Sequence, residues 1–159
     1  MPSNKVIEPW PGCALSSTRK TARLLTQLYD SYLSEYGVEA AQYALMVTLE
    51  SAADKGQAAM GRALGIDKTT LSRNLKILRE KGWVKSIPGK DARQRIIVLT
   101  AEGRERLVAA KPAWRRAQEE FRAGLSDNQW NGMWSSLRVM TRAAGKAIEH
   151  KQSSGSDEE

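Results

Sequence analysis

The sequence predicts a mainly α-helical fold that carries a small two-strand β-ribbon. Apolar residues recur at helical spacing over most of the chain, whereas β-branched residues cluster in two short segments, 83–87 and 95–99. Directly before the ribbon, two short helical patterns are joined by Gly65 and Ile66. Two short helices with a tight turn, followed by a ribbon, form the pattern of a winged helix-turn-helix. We expect this part, residues 39–99, to be flanked by longer helices on both sides.

The N-terminal residues predict an arm and two helices. Residues 1–14 are expected to be an extended arm because they contain three prolines. Leucines and tyrosines recur at helical spacing over residues 15–36, and Gly37 is a suitable C-terminal stop for that helix. A second apolar pattern predicts a helix over residues 39–53.

The helix-turn-helix follows. Residues 57–64 predict a short helix that ends at Gly65. Asp67 is a suitable N-cap for the next helix because a carboxylate accepts hydrogen bonds from the N–H groups of a first turn. Gly82 is expected to end that helix. Three leucines at helical spacing predict its buried face: Leu71, Leu75 and Leu78.

The ribbon is expected to lead into a long helix. Its two strands, 83–87 and 95–99, are separated by too many residues for a tight hairpin, so an exposed loop is expected between them. Thr100 begins a sequence that resembles a capping box, which predicts a helix over residues 101–124.

A last helix is predicted over residues 128–150. Ser126 and Asp127 are the expected caps of its N-terminus. Residues 151–159 are polar and are expected to be a disordered tail. The folded part is therefore expected to be a single unit over residues 15–150.

Composition excludes several classes of protein. The chain has 159 residues, which suits one domain, and no run of about 18 apolar residues predicts a membrane helix. The N-terminus lacks a signal-peptide pattern and the single cysteine cannot form an internal disulfide, so a cytoplasmic location is expected. We find no metal-ligand spacing, nucleophile motif or phosphate-binding loop. We therefore expect no metal, no cofactor and no enzymatic activity.

The positive charge is concentrated in the helix-turn-helix and ribbon. The chain has a formal net charge of +7. Residues 62–106 contain 12 of the 25 Lys and Arg residues but 5 of the 18 Asp and Glu residues, so the rest of the chain is neutral overall. Charge alone leaves a solvated basic surface as an open alternative. Combined with the helix-turn-helix pattern, it favours double-stranded DNA as the partner.

The polar face of the helix after Asp67 carries residue types that recognise DNA. Hydroxyl groups bond base edges or phosphates, and arginine can make a bidentate contact to guanine. Arg73 is expected to read guanine and Lys76 to contact phosphate, whereas Asn74 lies nearer the buried side. The candidate residues on this helix are Lys68, Thr69, Thr70, Ser72, Arg73, Asn74 and Lys76.

The loop of the ribbon supplies a second set of candidates. Arg93 is expected to enter a minor groove, because narrow A·T tracts attract guanidinium groups. Lys90 is expected to contact the DNA backbone. Asp91 would be repelled by phosphate, and we interpret it as the residue that orients Arg93 or Arg95.

Four segments carry a resemblance to a known family: Gly65–Leu78 (GIDKTTLSRNLKIL), Lys81–Val84 (KGWV), Asp91–Arg95 (DARQR) and Val98–Gly103 (VLTAEG). Through them the chain resembles the MarR family of winged-helix regulators, over about residues 15–148. The resemblance implies a homodimer whose interface is built by residues 15–36 and 101–150. It also implies repression through a pseudo-palindromic operator, with release by a small molecule or an oxidant.

The chain departs from the family pattern at Met60 and Gly61. Family members usually carry a bulky apolar residue or alanine there. Glycine costs about 1 kcal/mol in the interior of a helix. Two interpretations are open: Gly61 permits close helix packing, or it loosens the helix-turn-helix.

The resemblance also suggests candidate effector sites. Cys13, with Arg19 or Lys20 nearby, is a candidate redox sensor, since some family members sense organic hydroperoxides through a cysteine near this place; the alternative is a small buried residue. A phenolic or carboxylate effector could bind among aromatic residues, with Arg19 or Arg23 as the counter-charge. The alternative is ordinary core and dimer packing. The aromatic candidates are Trp10, Tyr29, Tyr32, Tyr36 and Tyr43.

Three further tryptophans, Trp114, Trp130 and Trp134, are interpreted as anchors of the dimer interface, with the core of one protomer as the alternative.

The leading functional hypothesis is a dimeric, sequence-specific transcriptional regulator. Two alternatives remain: a non-specific architectural DNA-binding protein, and a winged helix that binds another protein.

Overall fold

The computed structural model describes residues 12–52, 56–89 and 95–154. Within these ranges the chain forms six α-helices, one 3₁₀ turn and one two-stranded antiparallel sheet, so the predicted mainly α fold with a small β-ribbon is confirmed. The helices are α1 (Ala14–Leu33), α2 (Ala40–Ala52), α3 (Gly56–Leu64), α4 (Lys68–Glu80), α5 (Ala101–Ala123) and α6 (Asp127–Ser154). The strands are β1 (Val84–Pro88) and β2 (Arg95–Leu99), and the 3₁₀ turn is Ser34–Tyr36.

The chain divides into two compact units, residues 1–117 and 118–159. The second unit contains the end of α5 and the whole of α6. In it, the Trp130 ring lies 6.1 Å from that of Phe121 and 5.4 Å from that of Trp134, centroid to centroid. No described residue of α6 is buried within one copy of the chain.

The hydrophobic core of the first unit joins the helices to the sheet. Gln42 is the one polar side chain buried with it among the described residues, and it is 3% exposed. The largest fully buried side chains come from α1, the segment after it, α2, α3 and α4: Leu33, Val38, Leu45, Met46, Leu49, Met60, Leu71 and Leu78.

The first predicted helix, 15–36, is α-helical only to Leu33 and tightens into the 3₁₀ turn for its last three residues. It ends as predicted at Gly37, whose φ of 64° is a left-handed conformation that glycine adopts without strain. The Ala40 N–H donates to the Asp30 carboxylate at 2.6 Å, which ties α1 to the first turn of α2.

Gly61 is a point of close packing between α3 and the turn before α4. A Cβ atom at Gly61 would lie 3.0 Å from the carbonyl oxygen of Ile66. The Ile66 N–H also donates to the Gly61 carbonyl at 3.0 Å. The glycine is therefore explained by the approach of the turn, which favours the close-packing interpretation over a loosened helix-turn-helix.

The first strand begins one residue later than predicted, at Val84, because Trp83 completes the end of α4. The Trp83 N–H donates to the Leu78 carbonyl at 2.9 Å and the Gly82 N–H to the Arg79 carbonyl at 3.0 Å. This pair of bonds is the Schellman arrangement that satisfies the last carbonyls of a helix.

The sheet and α5 meet at the base of the ribbon. Its register runs from Val84 opposite Leu99 to Pro88 opposite Arg95. The Thr100 hydroxyl accepts the Gly103 N–H at 3.0 Å and donates to the Gly82 carbonyl at 2.7 Å. Thr100 is therefore the N-cap of α5, as predicted.

The N-terminus of α6 carries a reciprocal capping box. The Gln129 N–H donates to the Ser126 hydroxyl at 3.3 Å, and the Ser126 N–H donates to Oε1 of Gln129 at 2.8 Å. The cap predicted at Ser126 is confirmed. Asp127 is instead the first residue of the helix and pairs with Arg122.

The C-terminus of α6 lies further along the chain than predicted. The expectation of disorder over 151–159 is wrong for residues 151–154, which are helical. The hydroxyls of Ser153 and Ser154 each donate to the His150 carbonyl at 2.9 Å, which supports the last turn. Residues 155–159 lie outside the described residues.

Candidate nucleic-acid interface

One face of α4 is buried and the opposite face is exposed. Leu71, Leu75 and Leu78 are 2%, 3% and 0% exposed, as their spacing predicted. Asn74 is half-buried at the edge of this face. The other candidates on the helix are all exposed: Lys68, Thr69, Thr70, Ser72, Arg73 and Lys76.

The N-terminus of α4 is capped by Asp67, as predicted. Its carboxylate accepts the Thr70 N–H at 2.9 Å and the Thr70 hydroxyl at 2.7 Å. These two bonds hold the pKa of the Asp67 carboxyl below its usual value. Because the hydroxyl hydrogen of Thr70 is held by Asp67, this oxygen can accept a hydrogen bond from a base but cannot donate one to a phosphate.

The two cations at the centre of the exposed face differ in their surroundings. Lys76 lies 3.7 Å from the Glu80 carboxylate, and both side chains are highly exposed, so this pair is weak and screened by salt. Within the described part of the chain, Arg73 makes no hydrogen bond or ion pair. Its guanidinium can therefore bind an external acceptor without breaking a bond to any of these described residues.

Arg95 opens β2 opposite Pro88 and is exposed. Its Nε donates to the Ser86 hydroxyl at 3.1 Å, which holds the side chain along the ribbon. The other candidates of the loop, Lys90, Asp91 and Arg93, lie outside the described residues.

Three effector candidates, Cys13, Arg19 and Arg23, lie at or near the N-terminal end of α1. Cys13 is half-buried and occupies the N-cap position of α1 without a side-chain capping bond. Arg19 and Arg23 are exposed on the same helix. None of these three residues lines the two cavities between α2 and α5 described below.

Tyr43 is 6% exposed and belongs to an aromatic cluster of the first unit. Its ring stacks on Trp114 with 6.1 Å between centroids, and Tyr29 lies 6.4 Å from the same indole. Burial raises the pKa of both tyrosine hydroxyls. Trp114 therefore packs against the core of its own protomer while remaining partly exposed, and its interpretation as an anchor of a dimer interface stays a prediction.

Two cavities of about 360 and 370 Å³ adjoin this cluster, and both are lined by Tyr43, Val47 and Trp114. The first also contains Glu50 and Lys111 in its lining. The cation at this cavity is therefore Lys111, which the sequence interpretation missed in favour of Arg19 and Arg23. The spacing of these residues is a signal that identifies Lys111. It lies three residues before Trp114 and four after Leu107, so all three share one face of α5.

Among the residues that the structure describes, no group of three or more His, Cys, Asp or Glu side chains is arranged to hold a metal ion. Over the same ranges, none of the helices combines the length and apolar character required to cross a bilayer.

Comparisons with known proteins agree with this architecture. A family model described as "MarR family" matches residues 36–94. The transcriptional regulator MosR of M. tuberculosis, solved in complex with DNA, is 34% identical and has a TM-score of 0.70; the match covers 86% of this chain and 96% of that one.

Two further relatives extend the comparison. The HTH-type transcriptional regulator YwoH of Bacillus subtilis, described as uncharacterized, is 26% identical over 68% of this chain and 79% of that protein. A mutant of MarR from E. coli, complexed with operator DNA, is 22% identical with a TM-score of 0.71 over 78% of this chain and 90% of that one, a likeness in fold. The chain belongs to the MarR family of winged-helix transcriptional regulators, which are not enzymes.

Proposed function

We propose that this protein is a sequence-specific repressor that binds a pseudo-palindromic DNA operator as a homodimer. The observation that carries the proposal is the face of α4 opposite its buried leucines, where hydroxyl and basic side chains are exposed together. A helix with this face fits the major groove, where base edges present distinct patterns of donors and acceptors.

The residues of α4 divide into two roles. Arg73 reads guanine through a bidentate contact, because its guanidinium is exposed and the described residues leave it unpaired. Lys76 contacts phosphate, and this contact replaces its weak ion pair with Glu80. The remaining contacts to bases and backbone come from Lys68, Thr69, Thr70, Ser72 and Asn74.

The ribbon lies against the adjacent minor groove in this proposal. Arg95 contacts the backbone from the start of β2, where Ser86 holds its side chain. Arg93 enters the groove, Lys90 contacts phosphate and Asp91 orients an arginine; these three assignments rest on the sequence. Support for DNA as the partner comes from the relative at 34% identity, which was solved in complex with DNA.

A second copy of the chain is the partner that best accounts for the exposed apolar residues. In α6, Val139 is 65% and Ile148 59% exposed, and in α1 Leu15 is 69% exposed. Apolar side chains of this number on long helices are normally covered by a protein surface. We therefore assign dimerisation to residues 15–36 and 101–150, and a two-fold symmetric operator follows from a two-fold symmetric protein.

The effector that releases the operator is an aromatic carboxylate bound beside Tyr43 and Trp114. Support comes from the cavity of about 360 Å³ there, whose lining combines Tyr43 and Trp114 with Lys111. Glu50, the carboxylate of the same lining, lies 3.6 Å from Arg104, which offsets its charge. The alternative effector is an oxidant acting on Cys13. Operator binding measured with an aromatic acid and with a hydroperoxide, each against Lys111→Met and Cys13→Ser, separates the two, because each variant abolishes one response only.

The experiment that tests the proposed function is selection of bound sequences from a random DNA pool by the full chain. A specific regulator yields one inverted repeat and prefers it to random duplex by about 10³ or more at physiological salt. Binding without enrichment would instead identify a non-specific architectural protein. Failure to bind any DNA duplex would leave the alternative that the winged helix binds another protein.

A further inference from the structure

A lysine at the end of α4 joins two distant parts of the first unit. Lys81 is the C-cap residue of α4. Its Nζ donates to the Gly37 carbonyl at 2.9 Å and to Oε1 of Gln42 at 3.2 Å. A single ammonium group therefore links the end of α4 to the end of the 3₁₀ turn after α1 and to the first turns of α2.

Both acceptors suit a cation, and the core holds one of them in place. The Gly37 carbonyl lies at the C-terminal end of a helical segment, where carbonyl groups carry partial negative charge and favour a cation. Gln42 is 3% exposed, and its Oε1 also accepts the Glu39 N–H at 3.4 Å. The core thus holds the amide oxygen in place for the lysine.

A second cation, from α5, reinforces the same junction. Arg106 Nη1 donates to the Tyr36 carbonyl at 3.1 Å. The Lys81 Nζ and the Arg106 guanidinium carbon lie 4.5 Å and 5.6 Å from the centre of the Trp83 ring. That indole is 5% exposed, so the two cations stand against a fixed aromatic surface.

From this junction we infer that Lys81 is a positioning residue for DNA recognition, which fixes the direction of α4 relative to α1 and thereby the separation of the two DNA half-sites. The inference rests on the proposed function, since half-site separation has meaning only for a dimer on an inverted repeat. Lys81 itself does not touch DNA in this scheme. It acts through the orientation of the helix that carries Arg73.

The size of the effect follows from the length of the helix. α4 has 13 residues and is therefore about 20 Å long. A tilt of about 10° at its Lys81 end would move its N-terminal end by about 3.5 Å, which is close to the 3.4 Å rise of one base pair. One base pair also rotates a half-site by about 34° around the DNA axis. A small change in the tilt of α4 would therefore change the spacing of half-sites that the dimer prefers.

The test compares operators of different spacing. The probe is the inverted repeat selected by the full chain, together with the same half-sites separated by one base pair more or fewer. Lys81→Met removes the charge and both hydrogen bonds but keeps the aliphatic stem, and Lys81→Gln is a second variant should the first fail to fold. The matched control is Lys85→Met, because Lys85 is exposed on β1 and, within the described residues, has no ion pair or side-chain hydrogen bond.

The expected result is a change in the ratio of affinities for the three spacings. In Lys81→Met the preference for the selected spacing falls by roughly tenfold, within the usual range of coupling free energies. Lys85→Met weakens binding to all three spacings by one common factor. Lys81→Arg retains the ratio, because a guanidinium can reach both acceptors and the Trp83 ring.

Two results would overturn the inference, and they are distinguishable. If the wild-type chain discriminates between the spacings and Lys81→Met, shown by circular dichroism to be folded, discriminates equally well, Lys81 does not set the spacing and the proposed function stands. If the wild-type chain selects no inverted repeat at all, the proposed function fails and the inference fails with it.

Discussion

Thr70 donates two hydrogen bonds to Asp67, one from its backbone N–H at 2.9 Å and one from its hydroxyl at 2.7 Å. Both residues lie at the N-terminal end of α4, the end that enters the groove first in the proposed complex. The cap therefore orders the first turn of the recognition helix before DNA arrives, and no cost of ordering that turn falls on binding.

Replacement of Asp67 by alanine is expected to lower the melting temperature by about 2–4 °C at neutral pH, since the first turn loses its cap. The folded pKa of Asp67 lies below its ordinary value of 3.8, so the charged cap stabilises the fold above that pH. This contribution is lost as the pH falls through the folded pKa. The difference between wild type and Asp67→Ala, measured by thermal unfolding, should therefore narrow below pH 3.8.

Asp67→Asn is the matched control, because asparagine caps a helix nearly as well without a charge that titrates. It should retain most of the wild-type melting temperature at pH 7. A difference between wild type and Asp67→Ala that stays constant down to pH 2 would contradict the assignment of this carboxylate as the cap.

Arg73→Ala and Lys76→Ala should weaken DNA binding in different ways. Loss of Arg73 is expected to cost about 1–3 kcal/mol on the selected operator and to relax the base preference at one position of each half-site. Loss of Lys76 should weaken binding to all sequences by a similar factor and reduce the salt slope by about 1. Affinities for operator and random duplex over a range of salt concentrations measure both effects. An unchanged base preference in Arg73→Ala would show that the recognition face is assigned wrongly.

Gly103→Ala should strongly destabilise the first unit. A Cβ atom there would lie 2.1 Å from the Trp83 carbonyl oxygen, a backbone atom that cannot move without opening the junction between the sheet and α5. We expect a loss of about 3 kcal/mol in the free energy of unfolding, measured in urea. Gly132→Ala is the control: within one copy of the chain nothing lies within 4 Å of a Cβ at that position of α6, so no comparable loss is expected in the fold of one protomer.

Gly61→Ala distinguishes the two interpretations of this glycine. If Gly61 merely loosened α3, alanine would stabilise the protein by about 1 kcal/mol through its helix propensity. The 3.0 Å approach to the Ile66 carbonyl predicts the opposite sign, a loss of about 1 kcal/mol in urea denaturation. A gain in the free energy of unfolding of Gly61→Ala would instead favour the interpretation that Gly61 loosens the helix-turn-helix.

The features that the sequence predicted correctly depend on residues close together in the chain. The buried face of α4 follows from leucines one helical turn apart, and the cap at Asp67 lies three residues from its donor. The sequence predicts the ends of the helices less accurately. The last turn of α6 extends past the predicted end at residue 150 because serine hydroxyls bond to the His150 carbonyl, and helix propensity does not include such bonds.

The features that the sequence missed depend on distant residues. Trp114 stacks on Tyr43 from another helix, so its apolar character alone could not distinguish its own core from a dimer interface. The bond from Lys81 to the Gly37 carbonyl spans 44 residues, and a lysine after a helix gives no sign of such a partner. Which basic side chains take part in such a junction is therefore decided by contacts between residues that are far apart in the chain.

The hydrogen bonds of Thr100 have a consequence for how the ribbon can change during evolution. Its hydroxyl and its N–H, which donates to the Trp83 carbonyl at 3.0 Å, lock the strands together at the end away from the loop. Strand alignment is therefore decided at the closed end, and doubling the length of the loop adds only about 0.6 kcal/mol of closure entropy. Insertions and new side chains between the strands can accumulate while Arg95 keeps its place, so the loop that we propose as the minor-groove reader can diversify faster than the scaffold that holds it.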